Sequence, residues 1–291
     1  MKHVSLSKII IGLLLMMSVS FSASAQYLRG DVDEDGIVRI DDVTALIDYL
    51  LSGQWPGEED TPRTQTITVN GVSFTMVEVK GGTFMMGGTD EQGDDADEDE
   101  YPVHQVTLSS YYIAQTEVTK ELWQAVTGDS YSGDLTCPVT LVSWRECQEF
   151  ITALNAMTGL NFRMPTEAEW EFAARGGNKS KGYKYSGSNR ITDVAWYNGN
   201  NTGSLHPVAT KGPNELGLYD MSGNAREWCA DIWGNYSGEA QVDPLGPDEG
   251  GFWRVLRGGA FNEGAKNCRV SYRTSFEGGN FTGNIGMRLA L

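Results

Sequence analysis

The stretch Gly217–Trp233, GLYDMSGNAREWCADIW, limits the possible folds of this chain more than any other segment. Gly217, Gly223 and the small Ser222 and Ala225 mark backbone that must bend or be approached closely. Asp220 and Glu227 put two carboxylates into that bend, and Trp228 and Trp233 are large enough to anchor it in a core. Carboxylates beside backbone carbonyls in a tight turn suit a hard cation, since Ca²⁺ takes six to eight oxygens at about 2.3–2.6 Å. The same residues also suit a buried glycine turn whose acids are salt-bridged.

Charge and targeting signals narrow the class. Residues 1–25 read as a secretory leader: Lys2 and Lys8, an apolar run Ile9–Val19, then small residues Ser22–Ala25 before Gln26. The run is too short to span a bilayer, so an exported chain without membrane insertion is expected, in the periplasm, at the cell surface or outside. The chain carries 22 basic against 39 acidic residues, a net charge of −17. That excess argues against nucleic acid and anionic membranes, which need a basic face. Thirty-five glycines and eight tryptophans predict many turns held by aromatic anchors.

In chain order, the first organised segment is DVDEDGIVRIDD at 31–42. Asp31, Asp33 and Asp35 stand at positions 1, 3 and 5 of a calcium loop, with Gly36 at the turn, Ile37 offering its carbonyl and Asp42 last. Val43, Leu46, Ile47, Leu50 and Leu51 put one apolar stripe on the helix that follows. An aspartate in the last position followed by such a helix resembles a dockerin repeat, here present singly over 26–53. The resemblance implies one bound Ca²⁺ and a possible cohesin-like partner.

Residues 54–66 read as a linker, and the main domain as 67–291. Ile67, Val69 and Val72–Val79 predict two strands turning at Asn70–Gly71. The acidic run Asp90–Glu100 reads as a solvated loop. Strands are expected at His104–Leu108 and Tyr111–Ile113. Helices are expected at Thr119–Val126, with Thr116 as a candidate cap, at Arg145–Met157 capped by Ser143, and at Pro165–Ala174. Thr166 would cap the last and Glu169 complete its capping box. Beyond Arg175 the chain is rich in turns.

The motif GLYDMSGNAREW resembles the signature of the formylglycine-generating enzyme, or sulfatase-modifying factor, family. TFMMG at 83–87, YYIAQTEVT at 111–119, PVTLVSW at 138–144, RMPTEAEWEFAARGG at 163–177, RVLRGGAF at 254–261 and IGMRLAL at 285–291 match in the same order. The resemblance implies an α+β fold, loop-rich, of a modified C-type-lectin-like kind, with the calcium-loop module added at its N-terminus. It places one structural calcium on Asp220, Gly223, Ala225 and Glu227, the glycine and alanine through their carbonyls. A second family calcium site would fall on Val194 and Ala195 and does not carry over.

The enzymes of this family oxidise a sulfatase cysteine with O₂, using two cysteines that bind Cu(I). The first lies two residues beyond the aromatic of the glycine turn, which here is Gly258-Gly259-Ala260-Phe261. Glu263 stands at that place. Cys268 is five residues further on, yet the loop to Arg269 and Arg273 is shorter than the family's. The expectation is a non-catalytic binding protein for a protein or carbohydrate ligand, with copper relevant only if the oxidase chemistry survives through Cys268 and Cys229. The ligand surface expected from the resemblance comprises Trp228, Phe261, Glu263, Asn267, Arg269, Tyr272, Arg273 and Phe276. The ending RGGAF…CRVSYR…IGMRLAL also resembles the variable C-terminal ends of retroelement-diversified binding proteins. In an exported chain Cys137, Cys147, Cys229 and Cys268 can pair or stay buried, and Cys229 with Cys268 is the pair considered.

Overall fold

In the computed structural model, residues 62–201, 203–247 and 251–291 are described. The leader and the dockerin-like loop with Asp31, Asp33, Asp35, Ile37 and Asp42 lie outside them.

Asn70 and Gly71 both adopt left-handed backbone, with φ of 48° and 86°. That is the conformation a two-residue hairpin turn requires. They join β1 (Thr64–Val69) to β2 (Val72–Val79) in antiparallel register, so the first strand starts three residues earlier than the alternation suggested. Next come β3 (Gly82–Met86), β4 (His104–Leu108) and β5 (Tyr111–Ala114). The later strands are β6 (Arg226–Ile232), β7 (Gln241–Val242), β8 (Trp253–Arg257), β9 (Arg273–Glu277) and β10 (Ile285–Met287). They form three sheets, ordered β1-β2-β5, β3-β4-β7 and β10-β6-β8-β9. The chain end returns to the first sheet: Tyr112 exchanges backbone hydrogen bonds with Leu291 at 2.9 and 3.0 Å.

The helices are α1 (Lys120–Thr127), α2 (Trp144–Thr158), α3 (Glu167–Ala174) and the single turn α4 (Ile191–Val194). Thr119, not Thr116, caps α1, its hydroxyl accepting from the Leu122 N–H. Ser143 with Glu146 and Thr166 with Glu169 close capping boxes on α2 and α3. Trp228, Leu256, Ile285 and Met287 of the third sheet pack on Leu122, Trp123, Phe150 and Leu154 of α1 and α2 in one core. Trp170 and Phe172 of α3 fill a second core with Val106, Leu108 and Val255. Each side chain of this size contributes about 1.5–3 kcal/mol when fully buried.

The acidic run is not the solvated loop that its composition suggested. Asp90–Asp95 and Glu98–Glu100 form short 3-10 turns. Glu100 is buried and accepts from Arg269 at 2.5 and 2.9 Å and from Ser271 at 2.5 Å. Glu91 pairs with Arg175, Asp95 with Lys184 and Asp97 with Lys266. The physical reason is counter-charge: a buried guanidinium is tolerated only when paired and hydrogen-bonded, and this run supplies the carboxylate.

Candidate functional site

The glycine turn positions everything around it. Gly223 has φ of 80°, and a Cβ there would stand 2.3 Å from the Trp196 carbonyl oxygen, so no other residue fits. Asp220 and Asn224 also take positive φ on either side. Arg226 then enters β6, where alternation sends Glu227 inward and Arg226 to the opposite face.

Glu227 does not present itself to a cation. Its carboxylate accepts from Arg288 Nε and Nη2 at 2.7–3.0 Å and from the Trp170 indole at 2.6 Å. Asp220 behaves differently: Oδ2 accepts the Ala209 N–H at 2.7 Å, while Oδ1 is buried without a partner. Glu117, also buried, accepts from the Ala225 N–H and the Asn224 side-chain amide. Burial, then the Asp220 and Glu227 charges, pushes the Glu117 carboxyl well above the usual range. Burial lifts Asp220 to about 6, with Arg288 pulling the other way. Among the described residues, no three His, Cys, Asp or Glu side chains are grouped to hold a metal. Of the expected calcium set Asp220, Gly223, Ala225 and Glu227, Asp220 keeps an unpartnered oxygen, while Glu227 is already paired with Arg288. This is the salt-bridged glycine turn that the same residues also suited.

The C-terminal segment divides into interior and rim. Gly258 and Gly259, with φ of 90° and 69°, turn it, and a Cβ on Gly259 would lie 2.5 Å from Asn267 O. Three residues expected on the ligand surface are interior. Trp228 donates to Val142 O at 3.0 Å and packs on Phe276. Arg269 is held by Glu100, and Arg273 clasps Glu167 through two bonds of 2.7 Å. These are corrections with one cause: each polar group is engaged by partners inside the protein and buried away from the surface. Phe261, Glu263, Asn267, Tyr272 and Phe276 remain half-buried at the rim.

At the centre of that rim, Glu263 forms a two-bond ion pair with Arg226, one bond being 2.9 Å from Nε. Tyr272 lies within the field of both charges. Arg226 N–H donates to Asn284 O at 2.9 Å, and the Asn284 amide donates to Asn262 Oδ1 at 3.0 Å. Leu141 N–H donates to Thr282 O at 3.1 Å, which brings Leu141 beside the segment carrying Phe281. Leu141 and Phe281 are 58% and 56% exposed, and Leu141 holds an unfavourable φ of 62°. The rim thus offers a charged pair, amides and exposed apolar groups, the composition of a recognition face.

All four cysteines are buried free thiols, so the Cys229–Cys268 disulfide does not form. Burial, aided by Glu263, pushes Cys268 up to about 12. A protonated thiol behind a carboxylate already neutralised by arginine does not fit Cu(I), which binds thiolates.

Residues 63–291 match the model of the sulfatase-modifying factor enzyme 1-like domain. The chain belongs to that family. It is 31% identical over 270 residues to the chaperone protein LppX of Paenibacillus barcinonensis, covering 75% of this chain and 89% of the relative. It is 37% identical over 172 residues to the formylglycine-generating enzyme of Streptomyces coelicolor, covering 53% of this chain and 52% of that enzyme. The chain thus spans about half the length of that relative. Among solved structures, Treponema denticola variable protein 1 superposes with a TM-score of 0.71 at 32% identity, over 79% of this chain and 99% of that one.

Sequence reasoning missed Arg226, Asn262, Asn284, Leu141 and Phe281. One signal was available for Arg226: period-two alternation from buried Glu227 places it on the other face of β6. Nothing local to Leu141 announces its strained, exposed position.

Proposed function

We propose that this member of the sulfatase-modifying factor family is an exported binding protein rather than an oxidase. The rim around Arg226, Glu263, Tyr272 and Asn284 then recognises a protein or carbohydrate ligand. The observation that carries the reading is the Arg226–Glu263 ion pair, standing where the enzymes of the family place their first cysteine, with the Cys268 thiol buried behind it. The test is an O₂-dependent turnover assay on a cysteine-containing sulfatase peptide with Cu(I) supplied. No formylglycine is expected. Turnover that disappears in Cys268→Ser would overturn the reading.

A second reading, a retroelement-diversified binding protein on a C-type-lectin-like fold, is favoured by the likeness to the variable protein. The return of the chain end onto β5 also suits a lectin-like loop. Its genomic check is a near-duplicate template of the C-terminal segment beside a reverse transcriptase gene. If both are missing, the diversified reading falls and the binding reading stands. The calcium reading is confined to Asp31, Asp33, Asp35, Ile37 and Asp42, where a cohesin-like partner would dock. Equal helicity of residues 26–56 in chelator and in excess Ca²⁺ would remove it.

A further inference from the structure

A cleft of about 230 Å³ lies outside the Arg226–Glu263 rim, between α3 and the loop that connects β6 to β7 and runs on to Pro247. Its walls include His104, Glu167, Asp231, Tyr236, Gln241 and Arg273. His104, Glu167, Asp231 and Arg273 are buried side chains. Such an arrangement is unusual for a void left by loose packing, which is apolar when empty.

The charges around the cleft are paired with one exception. Glu167 is clasped by Arg273, approached by Arg257 at 3.1 Å and receives the Tyr236 hydroxyl at 3.3 Å. Glu171 pairs with Arg257 and Arg175, and Glu169 with Arg163. Four of the five Arg273 N–H donors are engaged, two on Glu167 and two on Asp99 O and Gly234 O at 3.1 and 2.9 Å. Of the two carboxylates that line the cleft, Glu167 and Asp231, only Asp231 has no ion-pair partner among the described residues. Its Oδ2 accepts the Glu167 N–H at 2.7 Å. Burial first, then the Glu167 charge, lifts it to about 7. The Arg273 charge is matched by Glu167, whereas a buried carboxylate without an ion-pair partner asks for a proton or a cation. The aromatic rings of His104 and Tyr236, 4.6 Å apart, stand on the same cleft. The loop closes tightly over the acid: a Cβ on Gly246 would lie 3.0 Å from the Asp231 Cβ.

We propose that this cleft binds a small ammonium ligand, with the Asp231 carboxylate as its counter-ion and the Tyr236 and His104 rings as its walls. The Arg273 guanidinium already lies 4.0 Å over the Tyr236 ring, so the rings shape the cleft, and the chain's net charge of −17 raises the local concentration of cations. The volume falls below the roughly 300–1,000 Å³ of drug-sized sites, so the ligand is a small amine rather than a polymer. The proposal is independent of the binding rim.

The test is calorimetric titration of the full chain with 1,4-diaminobutane, and with 1,4-butanediol as the uncharged control, in 0.15 M salt at pH 8 and pH 6. The diamine is doubly charged at both values, so a change in affinity reports the protein. Asp231 is ionised above about 7. The diamine should therefore bind at pH 8 and up to about tenfold more weakly at pH 6, and the diol should not bind. Asp231→Asn keeps the acceptor for Glu167 N–H and should lose at least tenfold at pH 8, with an unchanged melt. The charged and titratable groups around Asp231 are Glu167 and Glu169 on α3, Arg163 before that helix, Cys229 on its own strand and Arg254 on β8, with His104, Tyr236 and Arg273 on the same cleft. Any pH dependence that persists in Asp231→Asn belongs to groups other than Asp231. Glu277→Gln, an exposed acid elsewhere, should bind like wild type and so measures non-specific attraction. Equal affinity in Asp231→Asn, equal binding of the diol, or no binding at millimolar diamine would each overturn the proposal. Should the variant fail to fold, pH-independent binding by wild type would do the same.

Discussion

Arg269 and Arg226 each clasp a glutamate, yet the two pairs differ in what surrounds them. Arg269 and Glu100 both have side chains at 0% exposure, and Ser271 and the Lys266 carbonyl complete the network. Arg226 and Glu263 stand at 18% and 13%. An interior pair cannot lose one partner without leaving a buried charge, which costs about 3–5 kcal/mol. A pair that water still reaches in part, like this one, is partly screened and is worth less, toward the roughly 0–1 kcal/mol of exposed pairs. Interior pairs therefore fix the scaffold, while the rim pair sits where residues can be exchanged without unfolding it.

The sharpest way to break this comparison is at Arg288, one of three fully buried arginines beside Arg257 and Arg269. Arg288→Met would leave Glu227 facing Glu117 and Asp220 with no cation between them. The expected loss is about 3–5 kcal/mol. At roughly 2–4 °C per kcal/mol for a domain of this size, the melting temperature should drop by about 10 °C. A drop of under 2 °C would mean that the interior pairs are no more structural than the rim pair.

The next largest effect concerns protons. Glu117 and Asp220 both have folded-state pKa values above their ordinary ones, Asp220 at about 6, through burial. For an acid raised in this way, the protonated form favours the folded state. Its contribution is fully present below pH 4 and is lost as pH rises through about 6. Glu100 and Glu167, held low by their arginines against burial, act oppositely and lose their contribution on acidification. Asp220→Asn should thus stabilise the protein at pH 8, by an order of 2 kcal/mol, and have little effect at pH 4. Denaturant melts at both values check this. Destabilisation at pH 8 that appears only with added Ca²⁺ would instead restore Asp220 as a calcium ligand.

The helices, two of their caps and the hairpin were legible because Ser143, Thr166/Glu169 and Asn70-Gly71 act within four residues of their partners, whereas Thr119, not the expected Thr116, supplies the cap of α1. The acidic run was misread because its partners lie far along the chain: Glu100 meets Arg269 169 residues later. Composition sees eleven mostly acidic residues and cannot see the guanidinium waiting for one of them. The same long-range pairing removed Arg269 and Arg273 from the expected ligand surface. Glu263 was legible as a departure from the cysteine pattern, but its partner Arg226 was not, since only the fold brings them together.

A double-mutant cycle on the rim should give a small number. Arg226→Ala, Glu263→Ala and the double variant should each change stability by less than about 1 kcal/mol, with a coupling of similar size. The coupling should shrink in 1 M salt, where the Debye length is about 3 Å. A salt-insensitive coupling of 3 kcal/mol would place this pair with the interior ones and weaken the recognition face.

The smallest effect should have the opposite sign. Leu141 is exposed yet holds left-handed backbone, a conformation costing an L-residue about 1–2 kcal/mol. Its N–H bond to Thr282 O ties that strained residue to the loop carrying Phe281 at the rim. If the side chain serves the fold, removing it should destabilise; if it is displayed for a ligand, the strain is stored for function and can be relieved. Leu141→Gly relieves the strain but adds unfolded-state entropy of roughly the same order as other glycine substitutions, 0.4–1 kcal/mol. The expected outcome is a net gain of up to about 1 kcal/mol, seen as a small rise in melting temperature. Leu141→Ala keeps the strain and removes only exposed apolar surface, so its melt should match wild type within about 0.5 kcal/mol. A clear loss in both variants would show that Leu141 is packed into the fold, and the rim would lose one of its two exposed apolar contacts.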